Sequence, residues 1–168
     1  MTEPKPASPT LCRVDESSWR TYRDVRLASL LDTPLAFGST YAAEAAFTDD
    51  RWLGRVHSGS STWLAVLADL PVGTVTSFRF PEQGEDETCL VGMWVAGHAR
   101  GTGVADALVT TVLDDARSRG LARVTLDVAD GNGRARAFYE RMGFRPTGRQ
   151  GVLPHDPGVV ELEMAYQL

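Results

Sequence analysis

Several things are scarce in this chain, and each scarcity closes off a class of function. It has only two cysteines, Cys12 and Cys89, both inside apolar patterns and too few for a disulfide framework. We therefore expect buried free thiols in a cytoplasmic protein. Its three histidines, His57, His98 and His155, share no metal-ligand spacing with one another or with the cysteines, so no metal is expected. No Gly-Lys dipeptide and no G-x-S-x-G occur, which removes the nucleotide-hydrolase loop and the serine-hydrolase elbow. No apolar run approaches the ~20 residues that cross a bilayer, and no membrane partner is expected. Basic residues number 17 against 22 acidic ones, for a net charge of −5. Nucleic-acid binding wants a basic face and is not expected, whereas a cationic amine is compatible with this balance.

The opening residues, MTEPKPASPT, have neither a basic n-region nor an apolar h-region, so no secretory signal is expected there. Their prolines and polar residues point instead to a disordered tip over 1–9. The rest has the hydrophobic and charged content of an ordinary globular domain, and we expect residues 1–168 to form one such domain, without repeat or linker.

Along the chain, 11–14 reads as a short strand. A helix follows with Asp15 as its N-cap, Trp19, Tyr22, Arg26, Leu27, Leu30 and Leu31 as its stripe, and an end before Pro34. Arg26 on that stripe either packs its stem and pairs with a carboxylate or lines a pocket. The apolar loop 34–39, with Phe37, leads to two short helical segments at 40–47 and 50–56. The period then changes to that of strands: 62–68, a turn at 69–71, and 72–80. The acidic loop 82–87 reads as a solvated turn or, alternatively, an amine-steering patch. Residues 88–96 are apolar on both alternating faces, as in a central strand, and Gly92 within them marks a bulge or a close approach.

Next come Gly97-His98-Ala99 and then Arg100-Gly101-Thr102-Gly103-Val104-Ala105, opening an amphipathic helix whose apolar positions are Ala105, Leu108, Val109, Val112, Leu113 and Ala116. His98 reads as a turn residue. Glycines at a helix start let backbone N–H groups approach an anion, typically a phosphate. The dinucleotide fingerprint G-x-G-x-x-G/A fails because Asp106 follows Ala105. The pattern [R/Q]-x-x-G-x-[G/A] fits Arg100, Gly103 and Ala105, and a plain glycine-rich turn is the alternative. A strand at 122–129 completes a β-α-β unit, whose strands should be parallel neighbours. Asn132 caps a last helix with Ala135, Phe138 and Met142 as its core stripe. Strands at 144–149 and 159–166 close the chain around a loop, 151–158.

With Asn132-Gly133-Arg134-Ala135-Arg136-Ala137-Phe138-Tyr139-Glu140-Arg141-Met142-Gly143-Phe144 downstream of that loop, the chain resembles the GNAT superfamily of acyl-coenzyme-A-dependent N-acetyltransferases, most clearly over 62–144. The resemblance implies an α/β (α+β) GNAT fold: a mixed, mostly antiparallel sheet of about seven strands with helices on both faces, and a V-shaped gap beside 88–96. It implies acetyl-CoA as cosubstrate. The backbone of Met93, Trp94 and Val95 would bond the pantetheine arm, and the loop Arg100, Gly101, Thr102, Gly103, Val104 and Ala105 would hold the pyrophosphate, with Asn132 and Tyr139 also on the coenzyme side. The variable segments between the first two strands, with Arg26 and Phe37, would form the acceptor side. A homodimer is compatible with the family.

A primary amine with a pKa of about 10.4 is roughly one part in 2,500 neutral at pH 7, so a base must take a proton before the amine attacks the thioester. Tyr139 is the candidate acid for the departing thiolate, or else a core aromatic. Asp127 matches, one methylene shorter, a glutamate proposed as base in relatives that acetylate protein N-termini. Its other reading is a strand-end carboxylate paired with Arg134 or Arg136. Relatives that place a glutamate on the preceding central strand have no counterpart here, because 88–96 contains none. The expected function is N-acetyl transfer to a small-molecule amine or a protein N-terminus. The alternative is a non-catalytic acyl-CoA sensor or scaffold, and turnover separates the two.

Overall fold

The computed structural model describes residues 8–168, so the tip expected over 1–9 lies, apart from Ser8 and Pro9, outside the described residues. In chain order the elements are β1 (Thr10–Arg13), α1 (Trp19–Asp32), a 3₁₀ turn (Pro34–Ala36), α2 (Tyr41–Ala45), α3 (Asp49–Val56), β2 (Ser61–Leu67), β3 (Leu70–Phe78), β4 (Glu87–Val95), a second 3₁₀ turn (Gly97–Ala99), α4 (Val104–Ser118), β5 (Arg123–Ala129), α5 (Gly133–Arg141), β6 (Arg145–Leu153) and β7 (Asp156–Gln167). The strands form one sheet in the order β1-β2-β3-β4-β5-β7-β6. Every neighbouring pair is antiparallel except β4 and β5. Those two are parallel because α4 carries the chain back across the sheet between them, as the β-α-β reading required.

Strand alternation sends side chains to two cores. Trp63 and Ala65 of β2 join the cluster under α4 and α5, with Leu108, Val112, Leu126, Tyr139 and Phe144. Leu64, between them, faces the other way and packs with Trp19, Tyr22 and Val25 of α1 and Trp52 of α3. Trp94 touches both clusters. The middle of the sheet is therefore covered on both faces, whereas β6 is mostly exposed.

Several expectations are corrected. The carboxylate of Asp15 accepts from the backbone N–H groups of Ser17 and Ser18, making a turn ahead of the helix, and Ser18 is the N-cap. Leu31 is 64% exposed, because the inward stripe of α1 runs through Val25 and Ser29. The β2–β3 turn falls at Ala68 and Asp69, both at positive φ (47° and 64°), a two-residue hairpin that lets β3 start at Leu70. Cys12 is exposed, since β1 is an edge strand with only a partial cover, whereas Cys89 is buried as expected. Glu87 belongs to β4 and pairs with Arg123 at 3.0 Å, leaving the acidic loop. In α5 the buried residue is Tyr139, while Ala135, Phe138 and Met142 are only partly buried. The loop expected over 151–158 is largely strand: β6 and β7 pair down to Leu153 and Asp156, with Pro154 and His155 as the turn.

Candidate active site

The gap beside β4 comes from a glycine. Between β3 and β4 the register runs from Thr76↔Val91 to Thr74↔Trp94, one extra residue on the β4 side, and Gly92 sits in that bulge at φ 61°. A bulge bends and twists its strand. On its other edge β4 pairs with β5 only through Glu87↔Arg123, Thr88↔Val124 and Cys89↔Thr125, and beyond Cys89 the two strands part. Residues 91–95 thus present a strand edge without a strand partner among the described residues, the kind of edge an extended ligand can add to. Val91, Gly92 and Met93 line a cavity of about 660 Å³ that opens from this gap. Trp94 and Val95 are not among the residues that line it; the Trp94 indole donates to Asp32 at 2.9 Å.

At the end of β4 the glycine loop is built as a cradle. Gly101 and Gly103 have φ of 77° and 88°, and Gly103 caps α4 without any side chain. Among the described residues nothing lies within 4 Å of where a Cβ would sit on Gly97, Gly101 or Gly103, which leaves the loop surface open to them. The hydroxyl of Thr102 donates to the Ala99 carbonyl at 2.6 Å and closes the turn. The first helical bond runs from the N–H of Ala107 to the carbonyl of Gly103, leaving the N–H groups of Val104 and Ala105 at the positive end of the helix dipole. Arg100 is committed elsewhere: its Nε donates to the Val95 carbonyl at 2.9 Å and its Nη2 to Asp32. It shapes the loop more than it offers a free guanidinium. These residues suit a pyrophosphate, held by backbone donors on an open glycine surface.

Tyr139, Asn132 and Asp127 line the same cavity. The side-chain Oδ1 of Asn132 accepts from the N–H of Ala135 at 3.1 Å and so fixes the start of α5, which sets Tyr139 two turns along. The Tyr139 ring packs edge-on against Phe138 and Phe144, and its hydroxyl has no hydrogen-bond partner among the described residues. Burial, with Cys89 beside it, raises the phenol above its ordinary pKa. Burial likewise pushes the Cys89 thiol up to about 12.

Asp127 is in no ion pair among the described residues; Arg136 pairs with Asp130 instead, at 3.2 Å. Loss of solvent around its carboxyl, followed by the charge of Glu163 opposite it on β7, raises its pKa, and Arg149 offsets part of this. Glu161, two pairs along β7 and so on the same side of the sheet, also lines the cavity. Its pKa is raised by burial and then by Asp127, with His155 working the other way. His155 itself is held by the Phe37 carbonyl, to which its Nε2 donates at 2.7 Å.

The remaining wall comes from α1, α2 and α3. Arg26 and Phe37 are both buried and both line the cavity. Arg26 donates through Nε and Nη2 to the two carboxylate oxygens of Glu44, at 3.0 and 2.9 Å, and Arg55 donates to the same carboxylate at 3.1 Å. Glu44 is fully buried. Burial alone would raise its carboxyl, but the bonds and charges of the two arginines outweigh it and bring the pKa to about 2. Arg26 thus pairs with a carboxylate, as one sequence reading had it, and also lines the cavity. Sequence reasoning missed Glu44, Arg55 and Glu161. A lone acid inside Ala42-Ala43-Glu44-Ala45-Ala46 was a usable signal, whereas Glu161 needed the β5–β7 register.

The acetyltransferase (GNAT) family model matches residues 18–144. Human N-acetyltransferase 8B is 37% identical over 93 residues, 54% of this chain and 41% of that protein. Rat N-acetyltransferase 8F1 is 32% identical over 114 residues, 66% of this chain and 52% of that one. The chain thus spans about half the length, or less, of these relatives. Among solved structures, a ribosomal-protein-alanine N-acetyltransferase from Brucella melitensis superposes with a TM-score of 0.76 at 19% identity, over 95% of this chain and 99% of that one. A Salmonella typhimurium structure with its cofactor acetyl-CoA gives 0.78 at 16%, over 96% and 95%. At such identities these two establish the fold alone. With the family model covering most of the sequence, the chain belongs to the GNAT acetyltransferase family.

Proposed function

We propose that the chain transfers an acetyl group from acetyl-CoA to a primary amine by direct attack, without an acyl-enzyme. The observation that supports this most is the meeting of Asp127, Asn132 and Tyr139 with the unpartnered edge of β4 in one cavity, beside an open glycine loop at a helix start. Bound acetyl-CoA would supply an already activated thioester, so positioning accounts for much of the rate. The loop Arg100, Gly101, Thr102, Gly103, Val104 and Ala105 holds its pyrophosphate, and the backbone of Met93, Trp94 and Val95 its arm.

Asp127, directly or through water, takes the proton that an ammonium must lose, and its raised pKa makes it a stronger base than an ordinary aspartate. The new N–C bond forms as the C–S bond breaks. Tyr139 stays protonated at working pH because burial raises its pKa. Its hydroxyl therefore donates a hydrogen bond to the departing sulfur, and the proton moves only as the C–S bond opens. A buried thiol pushed to about 12 is no nucleophile, which supports direct attack over a cysteine relay.

The reading covers 1–168 as one domain. It extends to a cytoplasmic location, supported by two unpaired cysteines and by the absence, among the described residues, of a helix long and apolar enough to cross a membrane. A homodimer through the edge strand β6, where Val152 is 52% exposed, is a separate proposal that sedimentation tests. The central test is a thermal melt followed by an amine panel. Acetyl-CoA at about a hundred times Kd adds about 2.7 kcal/mol, a rise on the order of 5–10 °C. A flat melt at millimolar acetyl-CoA overturns the reading, and a shifted melt without turnover leaves the non-catalytic acyl-CoA binder.

A further inference from the structure

We propose that Arg26 and Arg55 anchor a carboxylate, so that the acceptor is a small zwitterion: a primary amine carrying its own carboxylate, as in an amino acid. The inference rests on the acetyl-transfer reading and names the acceptor class for it.

The argument begins with charge. Arg26 is 9% exposed, and its Nε and Nη2 are both spent on Glu44. Its third nitrogen, Nη1, has no hydrogen-bond partner among the described residues and reaches to 3.8 Å from where a Cβ would stand on Gly92, at the bulge beside the gap. Arg55 adds a second guanidinium to the same Glu44 carboxylate, and both arginines line the cavity. Guanidinium groups hold their charge at every working pH, and Glu44, at a pKa of about 2, holds only one negative charge against them. The cluster therefore presents one surplus positive charge and an unused donor to the cavity; Arg55 is partly exposed, but at Arg26, which is buried, that charge is costly until a counter-charge arrives. A carboxylate is the anion that matches a single surplus charge and a planar guanidinium. The Phe37 ring, 4.9 Å from the Arg26 guanidinium, holds that plane in place.

The opposite wall carries the opposite sign. Asp127 and Glu161 both line the cavity, and neither is in an ion pair among the described residues. The space is thus dipolar, positive toward α1 and α3 and negative toward β5 and β7. A simple amine satisfies only the negative end. An amine with its own carboxylate satisfies both, and its nitrogen is then directed to the side where Asp127 stands. A peptide N-terminus lacks that carboxylate, its first residue being in amide linkage.

The test compares kcat/KM for L-amino acids with that for their carboxamides, using the full chain, alongside the acetyl-CoA melt. The carboxylate form should be favoured about tenfold or more, as expected for hydrogen bonds to a charged group. In Arg55→Gln, and in the milder Arg26→Lys, that preference should shrink toward parity, with the loss falling mainly on the carboxylate form. Equal use of acid and carboxamide by the unaltered protein overturns the inference and leaves acetyl transfer standing. Variants that lose both forms by the same factor also overturn it, since a packing role, or a role at the thioester carbonyl, affects every amine alike. Turnover of no amine at all overturns the acetyl-transfer reading and this inference with it.

Discussion

The two walls of the cavity are made in different ways. The wall from β4 through α5 is a matter of backbone: a bulge at Gly92, strands that part beyond Cys89, two glycines at positive φ, and a helix start left open. The wall from α1 to α3 is a matter of side chains: one residue from each of three helices, Arg26, Glu44 and Arg55, joined by charged hydrogen bonds. The first can serve one fixed ligand while most of its side chains drift. The second changes its ligand when a single side chain changes. A cosubstrate common to a family suits the first construction, and an acceptor peculiar to one member suits the second.

Glu44→Gln should break the second wall with the largest effect on stability. It leaves the buried Arg26 guanidinium and the partly exposed one of Arg55 without their counter-charge, at a cost of about 3 kcal/mol, and thermal unfolding should fall by about 5–10 °C. The sign of the pH dependence follows from a carboxyl lowered from 4.5 to about 2. Its contribution is present in full above pH 4.5 and is lost as the pH falls toward 2, on the order of 3 kcal/mol over that window. Stability measured against pH should lose this step in Glu44→Gln.

Asp127→Asn comes next. It should lower kcat by about 10²–10³ and abolish the acid-side fall of the pH–rate profile, while the acetyl-CoA melt shift persists. Tyr139→Phe should lower kcat by about 10² with little change in acetyl-CoA affinity; equal losses in both would remove its assigned role at the sulfur. The smallest effect belongs to the backbone wall. Gly103→Ala meets no atom within 4 Å but must adopt φ 88°, a strain of about 1–2 kcal/mol. Acetyl-CoA affinity should then drop by about tenfold, and amine selectivity should stay as it was.

What could be read from the sequence follows the same division. The loop from Arg100 to Ala105, the N-cap at Asn132 and the parallel β4–β5 pair were legible because glycine, cap and period signals are local. Asp127 and Tyr139 were nameable because the second signature fixes their neighbourhood. The Arg26–Glu44–Arg55 cluster was not, since its members are drawn together by the packing of three helices. Glu161 stayed hidden for a different reason: it falls in the strand expected over 159–166, but the side it shares with Asp127 follows from the β5–β7 register, in which Ala129 pairs with Glu161. Leu31 and Cys12 show the limit of periodicity, which marks an apolar stripe but not where the cover over it ends.

The burial of Cys89 has a practical side. Thiol reagents are a convenient way to follow coenzyme A as it is released, and a protein's own cysteines usually set the background. Here that background is divided: Cys12 is exposed to reagent, whereas Cys89 is buried with its thiol pushed up to about 12 and is reached only when the sheet opens. One equivalent of fast colour therefore counts folded chains, and a second, slow equivalent reports the opening of the sheet around the β4–β5 junction. The same cuvette reads turnover and the integrity of the fold that supports it.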